Sequence, residues 1–405
     1  MLIEHIFEHA TEHPEKTAVV ACDGSLTFEK LCTEIAKTEL MLNQLEDKEP
    51  IGLLFNNSAR FLIMILAAAK AGKVVALISK DTKAKELLRH IRLLGLQRVF
   101  MEREIWKKFS DLKHEGSVSY YSHGNIIELS CPRRQPPWHV CCHPEDFMIK
   151  ITSGSESLGK YSARSLQSLV DEIEDTADTI DLSNEDTFLC LPPISHSFGL
   201  IAGSLLPLYF GKTLILEDVF FPDHVINLVN RFNINVMFAV PFMYHLLVKR
   251  LKRANVQFPT LHFCFTAGGP IDREIYEGIK QQTDAALIND YGSTETGLLC
   301  LNCDMEHHFG SVGKPAKGVS IAIRDDAGNI LTTGQMGEIC VESDRISDHY
   351  VSPVEQNTLQ YQNSYFKMRD YGYLDQEGYV FVLGRLDEFY NMAGKKAHAK
   401  EILYW

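Results

Sequence analysis

Short apolar runs recur from Ala18 to Thr266, and segments with helical spacing separate many of them. Runs this short suit strands and are too brief for helices, so the alternation confines the chain to layers of strands and helices. The strand-like runs begin with Ala18-Val19-Val20, Ile51-Gly52-Leu53-Leu54-Phe55, Val74-Val75-Ala76-Leu77-Ile78, Arg98-Val99-Phe100 and Phe147-Met148-Ile149-Lys150-Ile151. Thr187 to Leu191, Thr213 to Leu216, Val236 to Ala239 and His262 to Thr266 continue the series. Leu2, Ile3, Ile6 and Phe7 mark an amphipathic opening helix, and Thr27 caps a second with Phe28, Leu31 and Ile35 on one face. The longest apolar run, Phe61 to Ala69, ends at Lys70 and is short for a membrane span, so it reads as a buried helix.

After Gly310 the texture changes to short alternating runs joined by turns. Ser320 to Arg324 leads through Asp325-Asp326-Ala327-Gly328-Asn329 into Ile330-Leu331, and Gly337 to Val341 follows. Tyr373-Leu374 and Tyr379 to Val382 flank the turn Asp375-Gln376-Glu377-Gly378. Hairpins of this kind predict a small β subdomain over about 310–385. The 405 residues are too many for one compact core. A formal charge of −13 argues against nonspecific nucleic-acid binding, which needs lysine and arginine to neutralise phosphates. Ten scattered cysteines and a start without secretory features point to the reducing cytoplasm. The basic run Lys249 to Arg253 reads as a solvated helix end or as a dock for an acidic partner. Cys300, Cys303, His307 and His308 have a spacing that can hold zinc, although so short a segment would be cramped.

Two segments carry dense chemistry. Thr152-Ser153-Gly154-Ser155-Glu156-Ser157-Leu158-Gly159-Lys160 combines glycines, hydroxyls and a lysine, the residue types that surround polyphosphate. Its Gly154 and Gly159-Lys160 have P-loop spacing, but Tyr161 stands where that motif needs a magnesium-binding Ser or Thr. Asp290-Tyr291-Gly292-Ser293-Thr294-Glu295-Thr296-Gly297 sets an aromatic ring, hydroxyls and a carboxylate side by side. At a strand end it would face a cleft, with Glu295 suited to magnesium; alternatively it is a polar turn before a helix capped by Ser293 or Thr294.

The chain resembles the large N-terminal part of the adenylate-forming superfamily, which includes acyl-CoA synthetases, luciferases and peptide-synthetase adenylation domains. The resemblance spans nearly the whole chain and rests on ordered motifs: TSGSESLGK at 152–160, LPPISHSFGL at 191–200, TAGGPID at 266–272 and YGSTETG at 291–297. GSVGKPAKGV at 310–319, GEICV at 337–341 and RDYGYLDQEGYVFVLGR at 369–385 complete the series.

The resemblance implies an α/β core of two related sheets flanked by helices, with a small β-barrel-like subdomain, together filling 1–385. It implies that Thr152, Ser153, Gly154, Ser155, Gly159 and Lys160 hold the phosphates of ATP, Lys160 also acting in catalysis. Ala267, Gly268 and Gly269 would form one wall of the adenine slot and Tyr291 the other, with Gly292 adjoining and Asp290 near the exocyclic amine. Thr294 would touch the α-phosphate, Glu295 would hold Mg2+, and Asp370 would accept from both ribose hydroxyls with Arg385 beside it. His196, Phe198 and Gly199 would border the acyl pocket. No aspartate stands there to pair an α-ammonium, so an acyl or fatty acid is expected in preference to an amino acid. His196 alternatively is a core histidine.

The activity implied is attack of a carboxylate on the α-phosphate of ATP, then transfer of the acyl group to coenzyme A or to the phosphopantetheine of a carrier protein. Asp387 would be the hinge, and 386–405 the hinge and the start of a C-terminal domain essentially absent from this sequence. Its transition-state lysine would then come from a longer chain or another chain. Departures from the family pattern are Glu156 and Ser157 in the phosphate loop and Met368-Arg369 before Asp370, where Thr-Gly is usual. Two other readings stay open: a nucleotide- or acyl-binding protein with impaired catalysis, and a P-loop phosphotransferase.

Overall fold

The computed structural model describes residues 2–45, 50–121, 125–132, 145–152, 160–254, 256–346, 351, 361–362, 365–392 and 395–398. Two large sheets dominate it. The first has nine strands in the order Lys314–Pro315, Gly297–Asn302, Ala286–Ser293, Phe263–Ala267, Val236–Phe238, Thr187–Cys190, Thr213–Leu216, Thr17–Ala21 and Gly24–Thr27. Its interior pairs are parallel, and antiparallel strands close both edges. The second has seven strands in the order Ser117–Tyr121, Ile126–Ser130, Arg98–Glu102, Ile51–Leu54, Val75–Leu77, Asp146–Thr152 and Lys160–Ser165.

One apolar core joins the two sheets. Leu53, Leu77, Phe100 and Met148 of the second sheet share it with Val19, Phe188, Phe238 and Phe265 of the first. The helix Ala59–Lys70 belongs to the same core and buries nine of its twelve residues. A helix apolar on every side needs cover on every side, and the neighbouring helix Phe28–Asn43 supplies much of it within the same core. Ser58 starts this helix by accepting from the Phe61 amide at 3.2 Å, and Asp23 accepts from the Ala59 and Arg60 amides at 2.8 and 3.1 Å. The outer faces of the sheets carry separate cores. Among the described residues no helix is long and apolar enough to cross a membrane.

Strands Ser320–Arg324, Gly337–Glu342, Tyr365–Leu374, Val380–Arg385 and Tyr361–Gln362 form a third, antiparallel sheet with its own core around Ile339, Val341 and Phe366. This sheet is open, and no barrel closes among the described residues. Lys314–Pro315 pairs with Gly297–Asn302, so the turn of the chain after Gly310 still serves the nine-stranded sheet and the small sheet begins at Ser320. The basic run closes the helix Pro241–Ala254, where Arg250 pairs with Asp223 at 2.7 Å.

Asn57 fastens one sheet to the other. Its side-chain amide donates to the carbonyls of Pro192 and Glu217, both at 3.0 Å, and its side-chain oxygen accepts from the Ile194 amide at 2.9 Å. These groups are deep in the seam, so removing the amide leaves backbone polar groups unmatched at ~1–3 kcal/mol each. Asn57→Ala is therefore expected to lower the urea midpoint by the equivalent of about 2–4 kcal/mol. An unchanged midpoint would show that this clamp is dispensable.

Candidate active site at the carboxyl ends of the parallel strands

Parallel pairing sets Ala267 opposite Asp290 at the carboxyl ends of Phe263–Ala267 and Ala286–Ser293. Ala267-Gly268-Gly269 therefore leaves the sheet beside Asp290-Tyr291-Gly292, in the kind of crevice where open α/β sheets bind ligands. Gly268 has φ +81°, a left-handed conformation that glycine adopts without cost. The chain then turns back as Gly297–Asn302, antiparallel to its predecessor. The alternative of a turn before a helix is thus replaced by a hairpin, closed by reciprocal bonds in which the Ser293 amide meets Thr296 Oγ1 at 3.1 Å and the Thr296 amide meets Ser293 Oγ at 3.2 Å. A Cβ at Gly292 would lie 2.0 Å from the Gly297 carbonyl oxygen, so the two arms touch by backbone. Thr294 and Glu295, both partly buried, stand at the tip.

Tyr291 also meets the small sheet. Its hydroxyl donates to Asp370 Oδ2 at 2.6 Å, while Arg385 Nη1 donates to Asp370 Oδ1 at 3.0 Å and to the Met368 carbonyl at 3.2 Å. Asp370 and Arg385 are register partners on adjacent strands, which fixes that pairing. Burial raises the Asp370 carboxyl above its ordinary value, opposed by Tyr291 and Arg385. Burial raises the Tyr291 phenol well above its own, with Asp370 adding to the effect. The Asp290 carboxyl is likewise pushed well up by burial and then by the Glu172 carboxylate. Arg369, at φ +60°, reaches Asp387 at 3.1 Å.

The His196 segment lies at the end of Thr187–Cys190, two strands along from Phe263–Ala267. His196 precedes the short helix Ser197–Leu200, which continues into a π-helical stretch over Ile201–Leu205, a form often found at functional sites. A Cβ at Gly199 would come within 2.5 Å of the Pro193 carbonyl oxygen, so only glycine lets the helix fold onto the preceding loop. Phe198 packs edge-on against Phe238 at 5.8 Å. Burial and the Lys150 charge lower the His196 imidazole from its ordinary value, against an opposing pull from Asp81. The site is thereby given a neutral histidine near pH 7.

Residues 153–159 and the side chains of Thr152 and Lys160 lie outside the described residues, so the phosphate-loop expectation is represented by its two flanking strands, paired with Thr152 opposite Lys160. These strands decide one question. A P-loop runs from a strand into a helix whose N-terminus receives phosphate, whereas Lys160–Ser165 is an antiparallel strand. Tyr161 is a core residue with its hydroxyl 2.9 Å from His90 Nδ1. The P-loop reading is therefore excluded by topology. The zinc spacing is not realised either: Cys300 is buried in a strand, and His308 stacks on Tyr379 and pairs with Asp304 and Glu377.

Sequence reasoning missed two buried cations on the hairpin that carries this loop. Lys150, 3% exposed, donates to the Ser195 carbonyl at 2.6 Å. Burial holds its ammonium well below the ordinary lysine value, and Arg164 adds like-charge repulsion. Arg164, 2% exposed, pairs with Glu172 at 2.7 Å and donates to the Ser168 carbonyl at 3.0 Å. The available signal was a charge inside each strand, since a run as continuously apolar as Phe147-Met148-Ile149 suits a strand covered on both faces.

The sequence model of the AMP-binding enzyme family matches residues 6–351. The chain is 25% identical over 395 residues to the 2-succinylbenzoate–CoA ligase of Bacillus pumilus, covering 96% of this chain and 79% of that protein. It is 24% identical over 427 residues to the oxalate–CoA ligase of Arabidopsis thaliana, covering 99% and 81%. Its fold is similar to the o-succinylbenzoate CoA synthetase of Bacillus subtilis in complex with the acyl-adenylate intermediate, with TM-score 0.81, 20% identity and coverage of 98% of this chain and 81% of that one. It also matches the N-terminal domain of FACL13 from Mycobacterium tuberculosis, with TM-score 0.82, 21% identity and coverage of 95% and 99%. With the family match spanning most of its length, the chain belongs to the AMP-binding enzyme family, the adenylate-forming enzymes.

Proposed function

We propose that this enzyme activates a carboxylic acid with ATP to an acyl-adenylate and passes the acyl group to the thiol of coenzyme A. The observation that carries the reading is the Tyr291, Asp370 and Arg385 constellation beside Ala267-Gly268-Gly269. A flat glycine wall and an aromatic ring suit a purine, and a charged carboxylate within reach suits the paired hydroxyls of a ribose. Similarity to CoA ligases supports the acceptor.

In this reading a carboxylate oxygen of the acid attacks the α-phosphorus and the bond to pyrophosphate breaks. A thiolate then attacks the acyl carbonyl, and AMP leaves. The protein's part is placement and charge compensation in a dry site. Thr294 is assigned to the α-phosphate, and Thr152, Ser153, Gly154, Ser155, Gly159 and Lys160 to the phosphates that leave. Glu295 with the neighbouring hydroxyls fits magnesium, a cation that takes one or two carboxylates and completes its shell with phosphate oxygens and water. When bound, it would neutralise charge developing on the phosphates. Asp290 is assigned to the adenine amine, and His196, Phe198 and Gly199 to the acyl pocket. Because that segment offers no carboxylate to an α-ammonium, the substrate is placed among acyl acids and outside the α-amino acids. We place the AMP-binding domain at 1–385 and the hinge at Asp387; a carrier-protein thiol is the other acceptor of the same chemistry.

ATP–pyrophosphate exchange over a panel of aliphatic, aromatic, dicarboxylic and amino acids tests the reading. Exchange with at least one carboxylic acid that lacks an α-amino group is expected. Exchange with amino acids alone would refute the substrate class, and ATP binding without any exchange would favour a binding protein. Asp370→Asn is expected to weaken ATP binding by roughly ten- to a hundredfold, the worth of hydrogen bonds to a charged group. A smaller loss with 2′,3′-dideoxy-ATP than with ATP would locate the effect at the ribose, and equal losses would remove Asp370 from that role. Glu295→Gln is expected to shift half-saturating magnesium upward while leaving the melting temperature unchanged; an unaltered magnesium dependence would take Glu295 out of the metal site.

A further inference from the structure

We propose that Lys150 is a positioning residue that ties the hairpin Asp146–Thr152/Lys160–Ser165 to the segment bordering the acid pocket, so that nucleotide engagement is transmitted to His196. This rests on the function proposed above. Lys150 belongs to the seven-stranded sheet, and Ser195, whose carbonyl accepts its hydrogen bond at 2.6 Å, follows a strand of the nine-stranded sheet. The bond therefore crosses the seam between the sheets. It lands at the last fixed point before His196. Asn57 already holds the Pro192 carbonyl and the Ile194 amide, and the helix Ser197–Leu200 begins immediately beyond.

The hairpin is fastened a second time. Register places Lys150 opposite Ser162 and Met148 opposite Arg164, so Lys150, Ser162 and Arg164 project from one face. Arg164 and its partner Glu172 lie directly under Gly297, where a Cβ would come within 2.6 Å of Arg164 Nη1 and 2.3 Å of Glu172 Oε2. The same two strands thus abut both the acid segment and the turn that presents Thr294 and Glu295.

Stability alone does not account for a lysine at position 150. Among the described residues its bond is to an uncharged carbonyl, and the nearby Arg164 guanidinium repels an ammonium there. An apolar side chain of similar size would remove the cost of burying the amine while leaving one carbonyl unpaired, two effects that offset each other. What methionine could not reproduce is the directed bond to Ser195.

Hydrogen exchange with and without Mg·ATP separates positioning from folding. In the wild type, Mg·ATP is expected to raise the melting temperature and to slow amide exchange several-fold across 194–200. Lys150→Met is expected to stay folded, with a melting temperature near that of the wild type, and to keep its ATP-induced rise, yet to lose the slowing across 194–200. Lys150→Gln, which retains a donor, is expected to keep part of it, and it supplies the reading if the methionine variant does not fold. Undiminished slowing in the neutral variants would overturn the proposal, as would a wild type whose melting temperature responds to Mg·ATP while 194–200 does not. A wild type indifferent to Mg·ATP in both measurements would instead reject the nucleotide site itself, and this proposal with it.

Discussion

The shared core between the two sheets is the constraint on which the remaining structure depends. Phe188, Phe238 and Phe265 on one side and Leu53, Phe100 and Met148 on the other belong to the same core as the helix Ala59–Lys70, which packs along the helix Phe28–Asn43. Burial of that helix on all sides is worth about 1.5–3 kcal/mol for each large apolar side chain. The segments assigned to the candidate site leave the sheets near this seam. They inherit their relative positions from apolar packing that touches no substrate.

Packing alone does not fix a loop, and the seam carries polar links where loops depart. Asn57 clamps the 192–194 backbone, Lys150 holds Ser195, and Arg164 with Glu172 supports Gly297. Each is buried, where a satisfied bond is directional and an unsatisfied one is costly. The three links fall at different points around the crevice. Apolar contacts bring the sheets together, and these bonds fasten the candidate-site segments where they leave the strands.

Much of this was legible in the sequence. The runs at 51–55, 98–100, 187–191, 213–216 and 236–239 all contain observed strands, because period and length decide short apolar segments in an α/β chain. The Thr27 cap and the buried helix after Ser58 also follow from local chemistry. The hairpin after Tyr291 was not legible as one, since Ser293 and Thr296 bond to each other in a way that resembles a helix cap until the return strand is seen. Nor could spacing show that Tyr291 meets Asp370, seventy-nine positions away. That contact exists because the small sheet folds back over the end of the large one. The links made by Lys150 and Arg164 depend on which face of a strand meets the other sheet.

Arg369 occupies a left-handed backbone conformation that costs a non-glycine residue about 1–2 kcal/mol. The side chain that accompanies this strain reaches Asp387, and both partners are close to half exposed. An ion pair so open to water is screened by salt over roughly 8 Å at physiological ionic strength. The short 3₁₀ turn Leu386–Glu388 has no buried residue, so its attachment to the small sheet is electrostatic more than apolar. Such a fastening loosens by degrees as ions are added, whereas the sheets behind it, held by burial, do not. The Arg369–Asp387 pair is therefore the part of this junction that answers to ionic strength.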